Sequence, residues 1–455
     1  MLFRWFESHV DPFPVEEPIK PPTGFFAFCL HYARPVWKVL AVMSLTTASI
    51  AIMEMALYAF MGQLVDWLAE ADPATFLADE GWTLVSMAFL ILVLFPVTTL
   101  LGSLIIHQSL LGNFPMILRW QAHRYLLGQS LSFFQDEFAG RVATKVMQSS
   151  LAVREVVMKV LDVLLYIVVY FTGMVVLVGS SDLRLTAPLI AWLIAYVLAL
   201  RFFLPRLQAI SKRQADARAL MTGRVVDSYT NIQTVKLFSH AGRELGYARD
   251  SMEGFLGTVH GQMRLSTALQ VTMEVLNALL LFSVAAVSIG LWLQDEVSLG
   301  AIAVAIGLVL RLGGMSQWIM WEVSSLFENI GTVQDGITTL AQSQDVTDKP
   351  EATLLKVERG LIAFDHVRFH YGKTKGVIED LSLKIDAGEK VGLVGRSGAG
   401  KSTIVNLLLR FYDIEGGRIL IDGQDIATVT QESLREQIGM VTQDTSLLHL
   451  SLIHI

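Results

Sequence analysis

Six long apolar runs constrain what this chain can become. They lie at about Trp37–Met61, Thr83–His107, Val157–Gly179, Leu185–Leu204, Thr267–Leu293 and Ala301–Ser325, the fourth having the least sharply marked ends. Each approaches or exceeds the roughly twenty residues that a helix needs to cross the hydrocarbon core of a bilayer. Lipid offers backbone amides no partner, so a segment this apolar must satisfy its own hydrogen bonds as a helix. Composition agrees, with 53% apolar and only 17% charged residues. A net charge of −7 argues against nucleic acid as a partner, because phosphate binding calls for a basic face.

Charge assigns the sides of the membrane. The loop 62–82 has no Lys or Arg but carries Asp66, Glu70, Asp72, Asp79 and Glu80, and the turn after the fifth run offers only Asp295 and Glu296. Basic residues gather in the two long connections, Arg119, Arg124, Arg141, Lys145 and Arg154 in one, and nine from Arg206 to Arg264 in the other. Positive residues stay inside, so these connections and both termini are expected in the cytoplasm, in a bacterial inner membrane. At roughly 50 and 60 residues the connections are too long for simple links. Their apolar residues recur at helical spacing, as in Ile232, Val235, Leu237 and Phe238, which predicts spanning helices that continue beyond the bilayer and turn back.

Ahead of the first span, residues 1–35 mix aromatics and prolines, a pattern suited to a segment on the membrane surface or, alternatively, to a disordered leader. No apolar stretch there ends in a small-residue cleavage site, so no removable signal peptide is expected. The single cysteine, Cys29, excludes an intramolecular disulfide. Residues 36–340 form the membrane domain, and 341–359 lose the apolar pattern and read as a linker.

From residue 360 to 455 the period shortens to β-rich runs: Leu361–Phe369, Leu381–Ile385, Val391–Val394 and Arg418–Ile421, then a helix over Gln431–Gln437 and a strand over Ile438–Thr442. Strands and helices alternate here as in an α/β domain. Within it Gly395-Arg396-Ser397-Gly398-Ala399-Gly400-Lys401-Ser402-Thr403 meets the phosphate-loop spacing G-x-x-x-x-G-K-[ST] between an apolar strand and a helix over Ile404–Arg410. Glycines let successive N–H groups turn inward on phosphate oxygens, and the following helix adds the positive end of its dipole. Lys401 then reaches the β- and γ-phosphates and the Ser402 hydroxyl binds Mg²⁺. ATP and Mg²⁺ are the expected ligands. The fold class is thus an all-α six-helix membrane domain followed by an incomplete α/β P-loop ATPase domain.

Six spans, long inner connections and a P-loop domain in that order resemble a half-transporter of the ATP-binding cassette (ABC) exporter family. Tyr371, in Phe369-His370-Tyr371-Gly372, lies where the family places an aromatic that stacks on adenine. Gln443, in Met440-Val441-Thr442-Gln443-Asp444, matches the family's Q-loop glutamine, which ligates Mg²⁺ and senses the attacking water. Phe133 to Arg141 and Asp227 to Phe238 resemble its two coupling-helix regions. The resemblance implies the family's type 1 exporter fold, a second half-transporter as homo- or heterodimeric partner, and export by alternating access. It also carries a departure: the signature motif, Walker B acids and switch histidine that follow the Q-loop are not present, so no catalytic glutamate is assigned. The chain reads as an incomplete copy of a longer transporter. The rival readings are a membrane protein that binds ATP without hydrolysing it, and a membrane-anchored P-loop kinase.

Ionisable residues inside spans are costly and default to functional candidates, which singles out Glu54, Glu274 and Arg311. Glu54 and Arg311 fall at comparable depth and are expected to face the bundle interior and pair. Trp318 and Trp321 read as helix packing or interface anchors, with cavity lining as the alternative.

Overall fold

The computed structural model describes all residues except 17–18, 71, 73, 138, 239–240, 373–376 and 442–455. Its helices are α1 (Leu2–Glu7), α2 (Phe25–Ala33), α3 (Trp37–Glu70), α4 (Phe76–Phe89), α5 (Phe95–Leu104), α6 (Asn113–Leu127), α7 (Leu131–Asp136), α8 (Ala139–Met158), α9 (Leu165–Ser181), α10 (Thr186–Thr230), α11 (Ile232–Leu237), α12 (Ala241–Trp292), α13 (Leu299–Leu340), α14 (Lys401–Leu408) and α15 (Gln431–Glu436). Single π-helical turns at Leu90–Leu94, Ile105–Leu110 and Lys159–Leu164 join consecutive helices.

Among the described residues six helical stretches are long and apolar enough to cross a membrane, and each coincides with one of the expected runs, the fifth ending at Trp292, one residue short of its run. At 1.5 Å per residue the 45 residues of α10 extend about 68 Å, more than twice a hydrocarbon core of about 30 Å. That leaves a surplus long enough to continue beyond a bilayer, as the helical spacing predicts. Short helices cap these extensions where the coupling-helix resemblance falls, α7 in the first connection and α11 in the second.

The chain divides into two compact units. The first comprises Met1–Pro12, Cys29–Ile117 and Ser150–Gln334, the second Phe13–Phe28, Leu118–Ser149 and Asp335–Ile455. In the first unit, close packing and polar contacts hold the helices, since lipid removes most of the hydrophobic drive between them. α3 and α13 approach so closely that a Cβ on Gly300 would collide with the Gly62 carbonyl oxygen. At that crossing Asp66 accepts the Gly300 N–H at 2.7 Å and the Ser298 hydroxyl at 2.8 Å, capping α13. Deeper in the bundle, Trp192 Nε1 donates to Asn277 Oδ1 at 3.1 Å, Asn277 Nδ2 to Ser316 Oγ at 2.8 Å, and Tyr196 Oη to the Ser316 carbonyl at 2.8 Å. This satisfied network fixes the register of α10, α12 and α13.

The second unit holds a sheet of four antiparallel strands in the order β2-β1-β3-β4, with β1 Ile362–Phe369, β2 Ile378–Ile385, β3 Gly416–Ile421 and β4 Gln424–Asp425. Ile362 faces Ile385 on one side and Ile421 on the other. Phe364, Val367, Phe369, Leu407, Ile419 and Leu434 close the core beneath it. The described sheet is antiparallel, an order that the alternation of strands and helices in the sequence leaves open.

Two expected strands are not formed. Val391–Val394 lies outside any ladder, with Val391 43% and Val394 98% exposed, and Ile438–Val441 is likewise irregular, Thr442 falling outside the described residues. A run apolar on both faces needs a strand on each side, and no described strand pairs with either segment. The helix expected at Ile404–Arg410 starts earlier, at Lys401, and ends at Leu408, before Arg410 turns to a φ of +49°.

Side chains fasten the linker onto its unit. Tyr125 Oη donates to the Gln342 carbonyl at 2.6 Å, and Ser132 donates to Asp345 at 3.0 Å. Arg410, with its side chain 3% exposed, pairs with Asp348 at 3.4 Å and Asp413 at 3.0 Å, and donates to the carbonyls of Thr347 and Val429. At the β3–β4 turn the Asp422 carboxylate accepts the N–H groups of Glu358, Arg359, Gly360 and Leu361. Those backbone donors hold its carboxyl well below the usual carboxylate range.

Candidate functional site

The phosphate loop is built by glycine and closed by lysine. Gly398 and Gly400 take φ values of +82° and +87°, a left-handed conformation that a side chain disfavours, and Gly400 serves as N-cap of α14. A Cβ on Gly400 would also meet Val377 Cγ1 at 3.1 Å. Thr403 and Leu407 bury the inner face of α14. Gly395, Arg396, Ser397, Gly398, Ala399 and Ser402 are exposed. Lys401 Nζ donates to the carbonyls of Gly395 and Arg396, both at 2.9 Å, which places its ammonium over the loop. An exposed glycine-rich loop at a helix start, with a lysine ammonium beside it, has the chemistry of an anion cradle of the kind that takes a polyphosphate.

Tyr371 stands beside this loop. Its hydroxyl donates to Thr403 Oγ1 at 3.2 Å, and its ring packs edge-on against Phe369 and Tyr412 with centroids 4.5 and 5.0 Å away. At 40% exposure the ring keeps accessible surface. Tyr412, which sequence reasoning missed, orients that ring and also donates to Gln135 of α7 at 2.7 Å. No pattern marks it in the sequence, because only β1 and the end of α14 bring Phe369, Tyr371 and Tyr412 together. Gln443 lies outside the described residues. Ser402, at the first turn of α14, fits a single Mg²⁺ ligand. Among the described residues no three His, Cys, Asp or Glu side chains gather as a metal site.

A second candidate site lies in the membrane bundle. Glu54, Tyr166, Leu310, Arg311, Gly314, Met315 and Trp318 line a cavity of about 640 Å³. Arg311 Nη2 sits 3.5 Å from Glu54 Oε2, and Tyr166 Oη donates to the same oxygen at 2.7 Å. Trp318 meets Tyr166 edge-on at 6.2 Å, so this tryptophan lines the cavity, while Trp321 is 70% exposed. Glu274 is not brought to this pair: on α12 it is Met273 and Asn277 that turn inward, and Glu274 is exposed. On the π-helical turn that leads into α9, Lys159 pairs with Glu322 at 2.6 Å and Asp162 accepts a hydrogen bond from the Thr47 hydroxyl, extending the polar line of Tyr166 by two turns.

Comparison with known proteins bears on both sites. The family description "ABC transporter transmembrane region" matches residues 40–313, and "ABC transporter" matches residues 378–453. An ABC transporter ATP-binding protein of Haemophilus influenzae is 49% identical over 450 residues, covering 99% of this chain and 73% of that protein. An ATM1-type heavy metal exporter of Novosphingobium aromaticivorans is 33% identical over 232 residues, which are 51% of this chain and 38% of the exporter. A solved bacterial Atm1-family ABC exporter with ATP bound superimposes with a TM-score of 0.69 at 24% identity, covering 91% of this chain and 72% of that one. Its likeness concerns the fold. This multi-pass membrane chain, with an ATP-binding domain following a transmembrane region of ABC exporter fold, belongs to the ABC transporter family.

Proposed function

We propose that this chain is one half of a dimeric exporter that uses ATP to move a hydrophobic or amphipathic substrate out of the cytoplasm. What carries the reading is the presence in one chain of a mixed apolar and polar cavity among spanning helices and a phosphate cradle at Gly395–Thr403. ATP lies with its phosphates against the loop and Lys401, and its adenine against the Tyr371 ring. The Ser402 hydroxyl and Gln443 would hold Mg²⁺ beside the phosphates, where the ion would supply positive charge opposite the γ-phosphate.

Alternating access follows if nucleotide draws two such domains together and α7 and α11 pass that motion to the spans. The first unit then presents its cavity to one side of the membrane or the other. The Glu54–Arg311 pair stands in this cavity as a polar element of the substrate site.

The test uses the purified chain in lipid nanodiscs with a fluorescent N-methylanthraniloyl ATP. Binding is expected to require Mg²⁺ for full strength and to weaken about 10- to 100-fold in Lys401→Ala, the loss of one or two charge-assisted hydrogen bonds to phosphate. Equal binding by wild type and Lys401→Ala contradicts the assignment. Phosphate release measured on the same samples separates an ATP-hydrolysing exporter from a chain that only binds nucleotide.

A further inference from the structure

The polar groups of the membrane cavity differ in what they offer a ligand. Glu54 has its side chain 18% exposed, and one of its oxygens already receives the Tyr166 hydroxyl and the Arg311 guanidinium. Arg311 is the reverse case, with its side chain 47% exposed and its contact to Glu54 stretched to 3.5 Å. A guanidinium has five N–H donors in a flat fork. Glu54 and Tyr166 occupy one edge of it, which leaves the remaining donors to the cavity. The pair is neutral as a whole, yet the face turned to the cavity is the cationic one.

Desolvation sharpens this asymmetry. Unpaired donors of a guanidinium at membrane depth are expensive, so an occupant that supplies oxygen acceptors there is favoured over one that does not. Around Arg311 the walls are apolar or aromatic: Leu310, Met315 and the Trp318 and Tyr166 rings. A space of about 640 Å³ suits a ligand of drug size. We infer that this cavity is an anion-selective site for an amphipathic molecule, with a carboxylate, sulfonate or phosphate on Arg311 and an aromatic or aliphatic body against Trp318 and Met315. Glu54 acts as the internal counter-ion that keeps Arg311 oriented and that the ligand's anion displaces in part. This inference deepens the export reading and rests on it.

Three probes with one skeleton test it: 2-naphthoate, 2-naphthylmethanol and 2-naphthylmethylammonium, titrated by calorimetry into the purified chain in nanodiscs, with empty nanodiscs subtracted. The naphthoate is expected to bind about tenfold or more tighter than the ammonium, the scale of one charge-assisted contact in a sheltered site. Arg311→Gln and Arg311→Ala should lose that advantage while leaving naphthylmethanol binding in place, which also shows that the variants are folded. Arg311→Lys should retain part of it. Glu54→Gln, which removes the competing internal anion, should tighten naphthoate binding several-fold.

Equal binding of all three probes, unchanged in Arg311→Gln, overturns anion selectivity and leaves a general export cavity standing. Tighter binding of the ammonium overturns it too, by making Glu54 the ligand's partner. Absence of binding by any probe means that a second subunit or the protein itself covers the cavity, and it removes both this inference and the assignment of the cavity to substrate.

Discussion

Single residues in the nucleotide unit carry much of its local geometry, and three of them give measurable expectations. Gly400 combines a φ of +87° with Val377 Cγ1 at 3.1 Å from where a Cβ would go. Gly400→Ala should therefore cost about 1–2 kcal/mol of stability and weaken nucleotide binding, read as a lower melting temperature and a raised Kd. A variant that melts and binds like wild type would show that the loop does not need this conformation. His366 gives a pH signature. Its hydrogen bond to Asp380, with the charges of Asp380 and Asp365 behind it, raises its pKa above the usual value near 6.5. The charged form is favoured by folding, so the pair stabilises below pH ~6.5 and its contribution disappears as pH rises through the raised value. The melting-temperature difference between wild type and His366→Gln should thus be largest below pH ~6.5 and shrink as pH rises above it, and a difference independent of pH would contradict the pairing. Asp422 behaves in the opposite sense: with its pKa lowered, its contribution is present above the ordinary carboxylate range and is lost only as pH falls below it. None of these three roles is visible in composition. The loop motif predicts that Gly400 is glycine, but the pairings of His366 and Asp422 depend on strand register, which alternation alone leaves open.

At the scale of elements, the linker is held by chemistry that its sequence conceals. Residues 341–359 look featureless because they lose apolar periodicity, yet Arg410 reaches Asp348 and the Thr347 carbonyl from the end of α14. Arg410→Ala leaves Asp348 and Asp413 without their cation and two carbonyls without a donor, and should destabilise this unit by about 3 kcal/mol. Urea unfolding of the wild type and variant measures it, and a loss under about 1 kcal/mol would mean that water replaces the guanidinium at little cost. The spanning helices, by contrast, are legible in advance, since a run of twenty apolar residues has one stable form in lipid. The turn back between them is legible too, since the spacing of Ile232, Val235 and Leu237 belongs to α11, the short helix between α10 and α12. Strands are read less well. The alternation in Ile362–Phe369 and Ile378–Ile385 is enough to place β1 and β2 but says nothing of antiparallel order. Val391–Val394 has the composition of a buried strand without a described neighbour to make it one.

For the molecule as a whole, the sequence exposes the phosphate site and half-hides the membrane cavity. Spacing marks Gly395 to Thr403 because the phosphate-loop motif is written in consecutive residues. The cavity draws on α3, α9 and α13, so Glu54 and Arg311 stand out only as costly charges, while Tyr166 and Trp318 pass for ordinary aromatics until the helices assemble. Glu274 carries the same signal as Glu54 and lies on the wrong face of α12. In the export cycle proposed above, nucleotide at the P-loop changes access to this cavity. The direct measurement places a cysteine at Leu310, a cavity residue with 58% exposure, in a Cys29→Ser background, and follows its modification by a membrane-impermeant maleimide. ATP with Mg²⁺ is expected to change the rate of labelling several-fold, and Lys401→Ala to abolish the change. A labelling rate that stays constant while fluorescent ATP demonstrably binds would contradict that cycle.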